Sequence, residues 1–125
     1  MKKFVTLLLC MLPISLFAQV NDGIRQAMDN YDYETVVTLI ESDCQDSLLL
    51  ITKAQALKAM NRYPEAIGVL NSLILKDSTN TKVLIDLAEC YKLTGNSRRA
   101  ANCYQKAMNL QPENKFFRLQ FIRSL

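Results

Sequence analysis

Residues 47 to 80, SLLLITKAQALKAMNRYPEAIGVLNSLILKDSTN, overlie residues 81 to 114, TKVLIDLAECYKLTGNSRRAANCYQKAMNLQPEN, at an offset of 34 residues. Under that offset Ala54 falls on Ala88, Leu57 on Tyr91, Ala66 on Ala100, Leu70 on Tyr104 and Leu73 on Ala107. Small and large residues recur at the same places in both stretches. A period of this length and rhythm specifies paired helices stacked side by side, because one such pair cannot bury its apolar face alone. The sequence therefore predicts an all-α fold of antiparallel helical hairpins, stacked as a short right-handed α-solenoid. Such a fold is a scaffold for binding.

Residues 81–114 show how one unit is built. From Lys82 to Leu93, Val83, Leu84, Leu87, Ala88 and Tyr91 recur at three- and four-residue steps along one helical face. Thr94-Gly95-Asn96 supplies the stop, since glycine tolerates the left-handed conformation that ends helices. Ser97 is the expected cap of a second helix over about Arg98 to Leu110, whose face carries Ala100, Ala101, Tyr104, Ala107 and Met108. Pro112 closes the unit, having no N–H to continue a helical ladder. Ala88 and Ala100 are small enough to let the two backbones approach, with Tyr91 and Tyr104 filling the space beside them.

On these residues the chain resembles the tetratricopeptide repeat family. The family's motif asks for small residues at the eighth, twentieth and twenty-seventh positions of each unit and proline at the thirty-second. Ala88, Ala100, Ala107 and Pro112 supply all four, and Tyr91 and Gly95 match two more. In residues 47–80, Ala54, Leu57, Ala66, Leu70 and Leu73 hold the pattern, and Tyr63-Pro64-Glu65-Ala66 resembles the turn into the second helix. Pro64 suits a first helical turn. Asn61 replaces the expected glycine and Ser78 the closing proline, and asparagine is the next-best residue for a left-handed cap.

Residues 19–46 read as a degenerate first hairpin, with helices over Val20 to Asn30 and Tyr33 to Glu41 and a loop over Ser42 to Ser47. Tyr33 aligns with Tyr63 and Val36 with Ala66, an offset of 30 residues rather than 34. A capping hairpin unrelated to the repeats is the alternative. Residues 115–125 form a C-terminal helix, either a cap or the start of an incomplete repeat. Its Phe116, Phe117, Leu119, Phe121 and Ile122 are too apolar for the polar end that solenoids need. Phe116, Phe117 and Phe121 are therefore the expected self-association or capping surface, unless the chain is a piece of a longer array.

Residues 1–18 read as a secretory signal: Met1-Lys2-Lys3, an apolar run from Phe4 to Phe17, and Ala18 before the cut. That run, interrupted by Pro13, is too short to cross a bilayer of roughly 30 Å as a helix. A retained membrane anchor is one alternative. Lipidation at Cys10 is another, but Leu9 stands where a small residue usually precedes such a cysteine. The expected location is outside the cytoplasm, in the periplasm or cell envelope. Removing Lys2 and Lys3 lowers the formal charge from +3 to +1, which gives no footprint for nucleic acid or an anionic membrane. Cys44, Cys90 and Cys103 then remain, with no disulfide spacing. Cys90 and Cys103 read as small packing residues, a bridge between them being the alternative.

The chain has no histidine, the commonest general base and metal ligand. It has no glycine-rich phosphate loop, no nucleophile elbow and no metal-ligand cysteine cluster. Asp29, Asp32, Glu34, Asp43 and Asp46 fall at turns and loops, where carboxylates cap helices. The sequence thus predicts no enzyme, no cofactor, no metal and no small-molecule substrate. By resemblance to the family, the groove positions are Leu48, Ile51, Gln55, Lys58 and Ala59 in one unit, and Lys82, Ile85, Glu89, Lys92 and Leu93 in the next. Apolar in the middle with lysines at the margins, such a groove suits a peptide or an amphipathic helix with acidic groups. The alternative is that the lysines are merely solvated. Family members that clamp a peptide carboxyl terminus use lysine and asparagine where this chain has Ile51 and Gln55, then Ile85 and Glu89. The leader and the resemblance together therefore predict an exported protein-interaction module or assembly scaffold of another kind. A self-associating structural fragment ranks second, and a glycan-uptake component last, since the chain has no tryptophan.

Overall fold

The computed structural model describes residues 19–41 and 44–125. The leader assigned to residues 1–18, with Cys10, lies outside them. Among the described residues all regular structure is helical: α1 over 19–29, α2 Tyr33–Leu39, α3 Ser47–Ala59, α4 Tyr63–Lys76, α5 Thr81–Leu93, α6 Ser97–Leu110 and α7 Lys115–Ser124. Successive helices pack on one another, α2 on α3, α3 on α4, α4 on α5, α5 on α6 and α6 on α7, which is the solenoid expected.

The three hairpin turns share one device. Tyr31, Asn61 and Gly95 have φ of 59°, 61° and 82°, so each hairpin turns through a left-handed residue. The N–H groups of Asp32, Arg62 and Asn96 then donate back to the carbonyls of Ala27, Leu57 and Tyr91, each at 2.8 Å. These bonds satisfy carbonyls that the end of a helix leaves open. The helix starts follow the same logic. The side chains of Asp46, Asn80 and Asn114 accept from N–H groups in the first turns of α3, α5 and α7. Asp32 does so for α2. For α6 the cap is Asn96, which accepts from the Arg99 N–H at 3.2 Å. Ser97, expected as that cap, is instead the first helical residue. Asparagine one residue earlier takes the role because the left-handed Gly95 immediately precedes it.

The main core runs through both complete units. Leu50, Ala54 and Leu57 of α3 meet Ala66, Leu70 and Leu73 of α4, and Val83, Leu87, Ala88 and Tyr91 of α5 meet Ala100, Cys103 and Tyr104 of α6. Ala88 and Ala100 are fully buried. A second cluster joins Ile24 and Ala27 of α1 to Val36 and Ile40 and to Ala56 of α3. Lys53 donates to the Ile40 carbonyl at 3.2 Å and Lys76 to that of Gln45 at 3.0 Å, which fastens the segment after α2 onto α3 and α4. Cys90 and Cys103 are free and buried, and no bridge joins them. Burial pushes both thiols above the usual cysteine value, which makes them poor nucleophiles.

Candidate functional site

The caps Asp46, Asn80 and Asn114 stand at the 34-residue period, so α3, α5 and α7 present equivalent faces. Ile51, Gln55 and Lys58 therefore form one row and Lys82, Ile85, Glu89 and Lys92 a second. The same register gives Phe116, Leu119 and Arg123 as a third, which reading only two units had missed. One further step of 34 residues from Lys82, Ile85 and Glu89 was the signal that would have found it. Ile51 and Ile85 are half-buried against the core, whereas Gln55 is exposed.

A depression of about 240 Å³ opens between the second and third rows. Glu89, Lys92 and Leu93 of α5 form one wall, Phe116 and Gln120 of α7 the other, and Tyr104 of α6 joins them in lining it. Phe116, assigned to the chain's exposed end, thus belongs to this depression. Phe117 is turned inward against Leu84 and Ala107, and Phe121 is half-buried on the main core. Both pack inward on the preceding helices, since the inward face of α7 repeats every three to four residues and takes both.

The charges of the groove are arranged mostly among themselves. Lys58 Nζ donates to Glu89 Oε2 at 2.8 Å and to Asp86 Oδ1 at 3.5 Å, linking α3 to α5. Lys82 lies 3.6 Å from the other Asp86 oxygen, one helical turn away. Burial pushes the Lys58 ammonium down, but the Glu89 hydrogen bond and the charges of Asp86 and Glu89 outweigh it and leave the pKa raised. Asp86, with its side chain only 14% exposed, is the hub of this network and was not among the groove positions expected. Its acid character between two lysines, at i−4 and across the groove, is visible in the sequence only once α3 and α5 are known to be neighbours. Lys58 and Lys82 are thus internally neutralised. Among the described residues Lys92 has no carboxylate within ion-pair reach, and it stands at the mouth of the depression. Burial, followed by the nearby Glu89 charge, holds the Tyr104 hydroxyl above its usual value, so it stays a neutral hydrogen-bonding group.

The depression therefore combines apolar and aromatic surface with Lys92, which has no carboxylate within ion-pair reach among the described residues, beside the fixed ion pairs of Lys58 and Lys82. Among the described residues no group of His, Cys, Asp and Glu is placed to hold a metal ion, and no helix is long and apolar enough to cross a membrane.

A family model described as tetratricopeptide repeat matches residues 57–120. Among solved structures, the fold is similar to an Arabidopsis OM64 TPR domain, with a TM-score of 0.71 and 16% identity over 86% of this chain and 92% of that one. It is similar to the Yersinia enterocolitica type III secretion chaperone SycD in complex with a peptide of the translocator YopD, with a TM-score of 0.68 and 19% identity, covering 88% and 87% of the two chains. The first TPR of Spaghetti (RPAP3), bound to the HSP90 peptide SRMEEVD, aligns with a TM-score of 0.67 and 16% identity over 89% and 88%.

Proposed function

This chain belongs to the tetratricopeptide repeat family, and from that membership we propose that it is an exported, non-catalytic protein-interaction module that holds a peptide or helix of a partner along its concave groove. The observation that carries the proposal is the depression between α5 and α7, lined by Phe116, Tyr104 and Lys92, the last without a carboxylate partner among the described residues. Two of the similar solved structures are complexes with a peptide of another protein, which supports the reading. The chemistry favoured here is an apolar or aromatic side chain inserted beside Phe116, next to a carboxylate that meets Lys92. Ile51 and Ile85 stand where a carboxyl-terminal clamp would need polar donors, so the recognised segment is an internal one.

The test is selection of random peptides on the full chain, followed by titration of the best binder against variants. Phe116→Ser and Lys92→Glu should each weaken binding at least tenfold, about 1.4 kcal/mol, while Lys106→Glu on α6 should leave it unchanged. Binding that ignores both groove variants would overturn the proposal. Export rests on residues 1–18 alone. Fusing residues 1–25 to a reporter that works only outside the cytoplasm should yield activity, and a silent fusion with detectable protein would remove that part.

A further inference from the structure

The depression between α5 and α7 holds polar atoms that no neighbour satisfies. Tyr104 is only 3% exposed and joins its lining. The Tyr104 hydroxyl makes no hydrogen bond among the described residues, yet none of their side-chain nitrogens or oxygens that is sealed from solvent lacks a partner. The small open part of Tyr104 therefore includes its hydroxyl, at the depression. Glu89 lines the same depression. Its Oε2 accepts from Lys58 at 2.8 Å, whereas its Oε1 accepts no hydrogen bond among the described residues. The Glu89 charge is near enough to help hold the Tyr104 hydroxyl above its usual value, after the larger effect of burial. The two groups thus lie within electrostatic reach of each other, and no hydrogen bond joins them.

Hydrogen-bonding capacity narrows what fits beside both. A neutral phenol donates and accepts, while a carboxylate only accepts. The complementary group must therefore donate to Glu89, and it uses Tyr104 fully when it also accepts from it. A hydroxyl does both. An ammonium, a guanidinium or an indole N–H can only donate, and a second carboxylate beside Glu89 is repelled. The walls decide what carries the hydroxyl. Leu93 and Phe116 are exposed apolar surface there, and an aromatic ring set offset or edge-on to Phe116 covers it. Serine and threonine bring too little carbon for that, and asparagine and glutamine bring little apolar surface. The volume of about 240 Å³ lies below the roughly 300–1,000 Å³ of pockets for drug-sized ligands, and so suits a single side chain.

We infer that the depression takes one tyrosine side chain of the partner segment, whose hydroxyl accepts from Tyr104 and donates to Glu89 Oε1. Tyr104 and Glu89 are then the residues that set specificity. The inference rests on the groove reading and narrows it from an apolar or aromatic side chain to a phenol. A phenylalanine in the same place would cover both polar groups and leave them unpaired, which is how a site built for a hydroxyl rejects the analogue without one.

N-Acetyltyrosinamide and N-acetylphenylalaninamide differ by that hydroxyl alone. Each is titrated onto the isotope-labelled full chain and followed by amide chemical shifts. Saturable shifts should appear at Lys92, Leu93, Phe116 and Gln120 with both, the tyrosine compound binding at least about fivefold more tightly. Tyr104→Phe should abolish that preference and leave the affinity for the phenylalanine compound unchanged. Glu89→Leu, which removes the acceptor and keeps Tyr104, should abolish it as well. Equal affinities in the unaltered chain overturn the inference, as does a preference that survives both variants. Saturable shifts confined to other helices, or none with either compound, overturn it too. In each of those cases the groove reading still stands if the peptide selected on the full chain loses binding in Phe116→Ser and Lys92→Glu. A selected peptide that ignores both variants removes the groove reading, and this inference with it.

Discussion

At the scale of single residues, the three left-handed turn positions carry glycine, asparagine and tyrosine, in falling order of suitability for that conformation. At Gly95 an added Cβ would meet nothing within 4 Å, so substitution there tests backbone strain alone. Gly95→Ala should destabilise the fold by about 1–2 kcal/mol in denaturant titration. Gly68, inside α4, also has open space around it, but its conformation is helical. Gly68→Ala should therefore stabilise by about 0.5–1 kcal/mol. The same sign for both variants would contradict this reading. Gly95 and Asn61 were legible as turn residues because their chemistry announces the conformation. Tyr31 was not, since nothing in a tyrosine signals a left-handed backbone and only the shared turn geometry exposes it.

At the scale of elements, the small residues Ala54, Ala66, Ala88 and Ala100 made the hairpins legible, since only such residues let paired helices cross closely. The ion-pair network between α3 and α5 was not, because it joins residues 28 and 31 positions apart whose proximity is set by stacking. Its titration gives a pH dependence. Lys58 has a raised pKa, so its contribution is complete below 10.5, the unfolded value, and is lost as pH rises through the folded one. The buried Cys90, Cys103 and Tyr104 also have raised values, and they favour the neutral forms in the fold. Their contributions fall away above the unfolded values of 9.0 for the thiols and 10.0 for the tyrosine. The melting temperature should therefore drop progressively above pH 9. Lys58→Met should blunt the part of that fall above about pH 10.5, and an identical profile in the variant would exclude Lys58 as a contributor.

At the scale of the whole molecule, charge is distributed unevenly along the stack. Residues 19–46 carry seven carboxylates and one arginine, whereas residues 81–125 carry eight lysines and arginines against three carboxylates. The formal charge of +3 hides this polarity. The resulting field draws acidic segments toward the end of the stack formed by α5, α6 and α7, where the depression holds Lys92 and Phe116. Amide chemical-shift mapping of the full chain with a selected peptide tests the groove reading most directly. The shifts should concentrate on Ile85, Glu89, Lys92, Phe116 and Gln120 and leave the outer residues of α4 and α6 still. A footprint confined to α4 and α6 would contradict groove binding.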